Sequence, residues 1–148
     1  MQVEAQVTIR GSKEAVWSAI ADIRNASDII RGIENIDILE EPSQGLVGLK
    51  WKETRLYFGK PSAIDKWIIE ATPYEFYKTR AEMEDYIFIT TLRMEETSEG
   101  IILTSTHETQ PQGWFARLKS LPMVFFKKMN KKAILEDLQD YKAAADRT

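Results

Sequence analysis

The chain has 148 residues, 43% hydrophobic and 29% charged, with a formal net charge of −3. A domain of that size buries roughly 70% of its unfolded surface, so a single core suffices, and the acidic balance gives no global field for nucleic acid or anionic lipid. Cysteine is absent, which removes disulfides, thiolate nucleophiles and thiolate metal sites. No apolar run reaches the 18 or more residues of a membrane span, and Met1-Gln2-Val3-Glu4 lacks a signal pattern, so the chain reads as one cytoplasmic domain over 1–148.

In chain order, Val3, Ala5, Val7 and Ile9 alternate with polar residues, the period of a half-buried strand. Ser12 is placed to cap a helix whose stripe is Val16, Ile20 and Ile23 with Trp17, ending near Asp22 to Asn25. Ser27 would cap a second short helix over Asp28 to Arg31, stopped by Gly32. From Ile33 to Pro111 the pattern is that of strands joined by short turns: Ile36 to Glu40, Leu46 to Tyr57, Ala63 to Thr72, Tyr74 to Met83, Tyr86 to Glu95 and Ile101 to Gln110. The last stretch, Trp114 to Asp146, reads as one helix of roughly 50 Å, broken near Pro122. Its core stripe is Met123, Phe126, Ala133, Ile134, Leu138 and Tyr141, with Lys127, Lys128, Lys131 and Lys132 opposite. A sheet with one buried face needs a cover, and this helix is the segment long and amphipathic enough to provide it.

That order carries recognisable stretches: Ile9-x-x-Ser12 running into Val16-Trp17-x-x-Ile20-x-Asp22, Gly45-x-x-Gly48 before the third strand, Trp67 and Ile69 ahead of Pro73, and Gly100 before the last strand. It resembles the START-like, or SRPBCC, superfamily of polyketide cyclases, lipid-transfer domains and pollen-type allergens. The resemblance implies an α+β helix-grip fold: a curved seven-stranded antiparallel sheet wrapped around a long C-terminal helix, with two short helices after strand 1. It also implies a pocket between sheet and helix for a small hydrophobic molecule. The quoted stretches are packing and turn signals, so they speak to fold rather than chemistry.

Strand parity gives the candidate site. Leu49, Trp51, Glu53, Arg55 and Tyr57 share one face of the third strand, and a buried Glu53 or Arg55 must pair or border a wet cavity. The same reasoning sets Asp65 beside Trp67 and Ile69, and the only histidine, His107, beside Leu103 and Ser105. If the protein is an enzyme, Glu53, Arg55, Asp65 and His107 are its candidate acid, base and charge-stabilising groups. Trp51, Arg55, Tyr57, Trp67, Tyr77, Tyr86, Phe88 and His107 on strands, with Phe126, Asn130 and Tyr141 on the helix, would line a ligand cavity; the same aromatics would equally fill a solid core.

No G-x-S-x-G elbow, phosphate loop or metal-ligand cluster is present, so neither cofactor nor metal is expected. The lysine row beside Leu121 to Phe126 would form a membrane-facing lip, though its commoner meaning is a solvated helix back. No stacking aromatics interleave the lysines, which argues against nucleic acid. The leading expectation is binding or transport of a lipid-, isoprenoid- or polyketide-like ligand. The alternative is a cyclase, dehydratase or hydrolase acting on an aromatic or polyketide-like substrate, and a third reading has Trp114-Phe115 dock on another subunit. Monomer and homodimer are both compatible with the sequence.

Overall fold

The computed structural model describes residues 1–57, 59–83, 85–113 and 123–147, with the backbone alone over 123–129. β1 (Gln2–Ile9) alternates strictly between exposed and buried positions, because the pleat sends every second side chain to one face. Ser12 then caps α1 (Lys13–Ala21), its hydroxyl accepting from the Ala15 amide at 3.1 Å. A 3-10 turn over Ile23–Asn25 runs directly into the single-turn α2 (Ala26–Ile29). Ser27 therefore does not cap that helix. A cap needs an extended residue ahead of the first turn, whereas Ala26 is already helical at φ −59° and ψ −30°.

β2 (Ile33–Glu40), β3 (Lys50–Tyr57), β4 (Lys60–Thr72), β5 (Phe76–Met83), β6 (Tyr86–Thr97) and β7 (Gly100–Pro111) form an antiparallel meander. β1 closes on β7, giving the order β1-β7-β6-β5-β4-β3-β2. β3 starts later than the apolar pattern predicts. Gly48 takes φ +96° and donates its amide to the Ile68 carbonyl at 2.9 Å, so the residues before Lys50 form a turn locked onto β4. Register shifts at Ile33/Asn35, Ile38/Glu40 and Ile68/Glu70 bend the sheet. At the far end Gly100 has φ +131°, and a Cβ there would stand 2.6 Å from the Ile9 carbonyl oxygen, so the turn into β7 admits only glycine.

α3 (Met123–Asp146) lies against β1 and α1 and buries Ile134, Leu138 and Ala145 in a core shared with Val3, Tyr77 and Leu103. Burial of Ile134 and Leu138 contributes about 1.5–3 kcal/mol each. Arg31 ties the short-helix region to α3, its Nε donating to Asp140 Oδ1 at 2.9 Å and its backbone amide to Oδ2 at 3.0 Å. This is the helix-grip arrangement that the resemblance implied. The predicted helix start at Trp114, the break at Pro122 and the Trp114-Phe115 docking segment lie outside the described residues, as do the side chains of Phe126, Lys127 and Lys128. Lys131 and Lys132 are exposed. No helix among the described residues is long and apolar enough to cross a membrane.

Candidate functional site

Residues directly opposite one another in an antiparallel pair share a face. β3 sends Trp51, Glu53, Arg55 and Tyr57 to the concave side, and the pairings Trp51↔Lys66, Glu53↔Ile64 and Arg55↔Ser62 bring those β4 residues with them. Asp65 and Trp67 pair with Lys52 and Lys50, so both stand on the convex face, and their expected place inside is corrected. Trp67 instead lies under the Lys50 ammonium, 5.6 Å from its ring centroid. The error has a physical source. β4 carries large apolar residues at both parities, and the inward one is Ile68, 1% exposed, while Ile69 is 39% exposed.

Between sheet and α3 is a cavity of about 420 Å3, within the range of small-molecule sites. Val3, Ile64, Ala81, Met83, Phe88 and Ile134 supply apolar wall, and Glu53, Arg55, Lys66, His107 and Asp137 a charged inner end. A recess of about 70 Å3 shares that inner end and is bounded further by Trp51, Tyr77, Ser105 and Tyr141. From α3, Asn130, Ala133, Ile134 and Asp137 face the cavity at the spacing of one helical stripe. Tyr57 lines it while remaining 57% exposed. Tyr86 shares the inward parity of Phe88 and stacks on it at 6.1 Å, but does not itself border the cavity. Tyr77 borders the recess and not the larger cavity: it is 3% exposed and its hydroxyl donates to the Ile20 carbonyl at 2.7 Å.

The charged inner end is one network. Glu53, 5% exposed, accepts from Trp51 Nε1 at 3.3 Å, Arg55 Nε at 2.8 Å and Lys66 Nζ at 2.9 Å. Arg55 reaches across to α3, donating from Nη1 to Asp137 Oδ1 at 3.3 Å and from Nη2 to Oδ2 at 3.0 Å. Burial by itself would raise the Glu53 carboxyl, but the Lys66 and Arg55 cations outweigh it and hold the group at about 2. A carboxylate so held takes no proton near neutral pH, which makes Glu53 a positioning group. Asp137 is the reverse case: burial wins over its Arg55 partner and raises the carboxyl. Arg55 is raised by Glu53 and Asp137 despite its burial, and stays charged.

His107 faces the same cavity, its Nε2 3.0 Å from Ser105 Oγ. Burial, and then the Lys66 and Arg55 cations, lower it to about 4, so the imidazole is neutral at physiological pH. Burial similarly raises the Tyr77 and Tyr141 hydroxyls, leaving both rings as neutral walls of the recess. Of the four proposed catalytic groups, Glu53, Arg55 and His107 converge and Asp65 does not. Lys66 escapes the sequence reading. The signal that would find it is the alternation Ile64, Lys66, Ile68, in which a lysine sits between two inward isoleucines.

No protein-family model and no curated protein sequence matches the chain. Solved structures do. The chain is similar to a START superfamily protein from Mycobacterium smegmatis at 10% identity and TM-score 0.79, over 99% of this chain and 97% of that one. TTHA0849 from Thermus thermophilus superposes at 13% identity and TM-score 0.79, covering 98% and 97%. The Zhui aromatase/cyclase from Streptomyces sp. R1128 does so at 19% identity and TM-score 0.76, covering 99% and 94%. At such identities the likeness carries the fold: the chain has the START-like helix-grip fold.

Proposed function

We propose that this helix-grip domain binds a small, mostly apolar molecule between sheet and α3, with the molecule's polar end toward the charged cluster. The observation that carries the reading is the cavity of about 420 Å3, apolar along its walls and charged at its inner end. A merely structural core would close this space, because interiors pack to near-crystalline density. Transport or storage of a lipid-, isoprenoid- or polyketide-like compound fits that division. The test is a screen of lipids, isoprenoids, flavonoids and aromatic polyketides by thermal shift and native mass spectrometry. At least one class is expected to raise the melting temperature and remain bound; silence across all four classes sinks the reading.

A second reading, chemistry on the bound molecule, is favoured by His107. A buried imidazole held neutral by burial and two cations is a weak base, but its ring N–H can join those cations in stabilising negative charge that develops on a carbonyl oxygen of the bound molecule. An aromatase/cyclase of the same fold makes cyclisation or dehydration the reaction class to assay. Loss of a detected activity by at least a hundredfold in His107→Ala, with ligand affinity kept, is the expected result; an unchanged rate leaves binding alone.

A further inference from the structure

Every carboxylate oxygen of the cluster has a partner, and one of its cations has donors to spare. Glu53 Oε1 accepts from Trp51, Oε2 from Arg55 and Lys66, and both Asp137 oxygens accept from Arg55. Lys66 Nζ carries three N–H donors, and among the described residues it makes one hydrogen bond, to Glu53. The ammonium lines the cavity, three-quarters buried on a strand, and Glu53 fixes where it points. The inner end of the cavity therefore offers donors, while every carboxylate oxygen is already engaged.

Charge decides which acceptor suits those donors. Lys66 and Arg55 are matched in number by the carboxyl groups of Glu53 and Asp137, each joined to a cation of the cluster, so the cluster has no surplus of cationic side chains. A further anion would have no cation of its own in a largely buried place, where an uncompensated charge is costly. A carbonyl oxygen brings two lone pairs, no proton and no charge. We infer that Lys66 anchors the carbonyl oxygen of the apolar molecule held in the cavity, making ketone-, aldehyde- or ester-bearing compounds the class this site selects. The inference rests on the binding reading above. Glu53 acts through the lysine, as a positioning residue.

Displacement of the fluorescent reporter N-phenyl-1-naphthylamine tests this with three probes of one shape: 2-acetylnaphthalene, the hydrocarbon 2-isopropylnaphthalene and the anion 2-naphthoate. Lys66→Met is expected to weaken the ketone about tenfold relative to the hydrocarbon, and Lys66→Arg to keep the wild-type ratio; tenfold is about 1.4 kcal/mol. The carbonyl stretch of bound 2-acetylnaphthalene should lie below its value in hexane for the wild-type protein and move back up in Lys66→Met. The hydrocarbon's affinity reports that the cavity of the variant is intact. An unmoved ketone-to-hydrocarbon ratio, 2-naphthoate binding tighter than the ketone, or a wild-type stretch at the hexane value each overturns the assignment of Lys66 to a carbonyl oxygen and leaves the binding reading standing. The last of these needs no variant. A wild-type protein that binds neither the reporter nor any probe overturns both.

Discussion

Arg55 on β3 and Asp137 on α3 meet through two parallel hydrogen bonds, Nη1 to Oδ1 at 3.3 Å and Nη2 to Oδ2 at 3.0 Å, and so clamp the helix to the sheet beside the cavity. Both side chains are about three-quarters buried, so the pair is poorly screened and its geometry is worth more than that of a surface bridge. Asp137→Ala is expected to lower stability by about 2 kcal/mol, since Arg55 would keep its charge with one carboxylate fewer. Urea unfolding of the two proteins measures this, and a midpoint that does not move shows the clamp to be dispensable.

Glu53 makes stability depend on pH at the acid end. Its folded pKa of about 2 lies below the ordinary 4.5, so between those values the unfolded chain binds more protons and stability falls as pH falls. The contribution is complete above pH 4.5 and on the order of 3 kcal/mol. Asp137, raised rather than lowered, works in the opposite sense. Glu53→Gln should flatten the slope of urea midpoints from pH 4.5 to 3 while lowering stability at pH 7. An equally steep slope in the variant would assign the acid sensitivity elsewhere.

His107 adds a separate window. Its pKa falls from 6.5 to about 4 on folding, so in that range the unfolded state again binds the extra proton, and the stability present above pH 6.5 is lost as pH falls toward 4. Since this is the only histidine, its ring protons can be followed directly by NMR. They should show no titration between pH 7.5 and 5.5, and His107→Gln should remove the stability slope from pH 6.5 to 4.5. A midpoint near 6.5 in the folded protein would mean that the ring is solvated.

The two faces of β4 give a paired control. Asp65→Ala and Trp67→Phe alter the convex face and should leave the affinity for N-phenyl-1-naphthylamine within about twofold. Phe88→Ala removes a wall of the cavity and should weaken it by about tenfold or more, the scale of a lost buried aromatic contact. Fluorescence titration of the three variants decides, and the reverse ranking would place the ligand on the outer surface.

Turn chemistry further from the site can be tested by Gly100→Ala. The φ of +131° and the 2.6 Å approach of a Cβ to the Ile9 carbonyl predict a loss of about 1–3 kcal/mol, read from the shift of the thermal midpoint.

What the chain determined by itself is whatever depends on periodicity and local chemistry. The alternation of Val3, Ala5, Val7 and Ile9, the Ser12 cap, the succession of short strands and the helical stripe through Ile134 and Leu138 are properties of neighbouring residues, and they sufficed for the order of elements, from which the START-like resemblance implied the helix-grip architecture. Within β3 the same logic put Glu53 and Arg55 on one face. Tertiary structure decided the rest. Alternation says which residues of a strand share a face but not which face is inside, so Asp65 and Trp67 could exchange places with Lys66 until β4 was registered against β3. Nor does sequence distance show that Asp137 lies within hydrogen-bond reach of Arg55, or that Tyr77 spends its hydroxyl on Ile20. The charged cluster draws on β3, β4, β7 and α3, and the state of each member follows from burial and from partners on other elements, quantities that exist only once the sheet has closed on its helix.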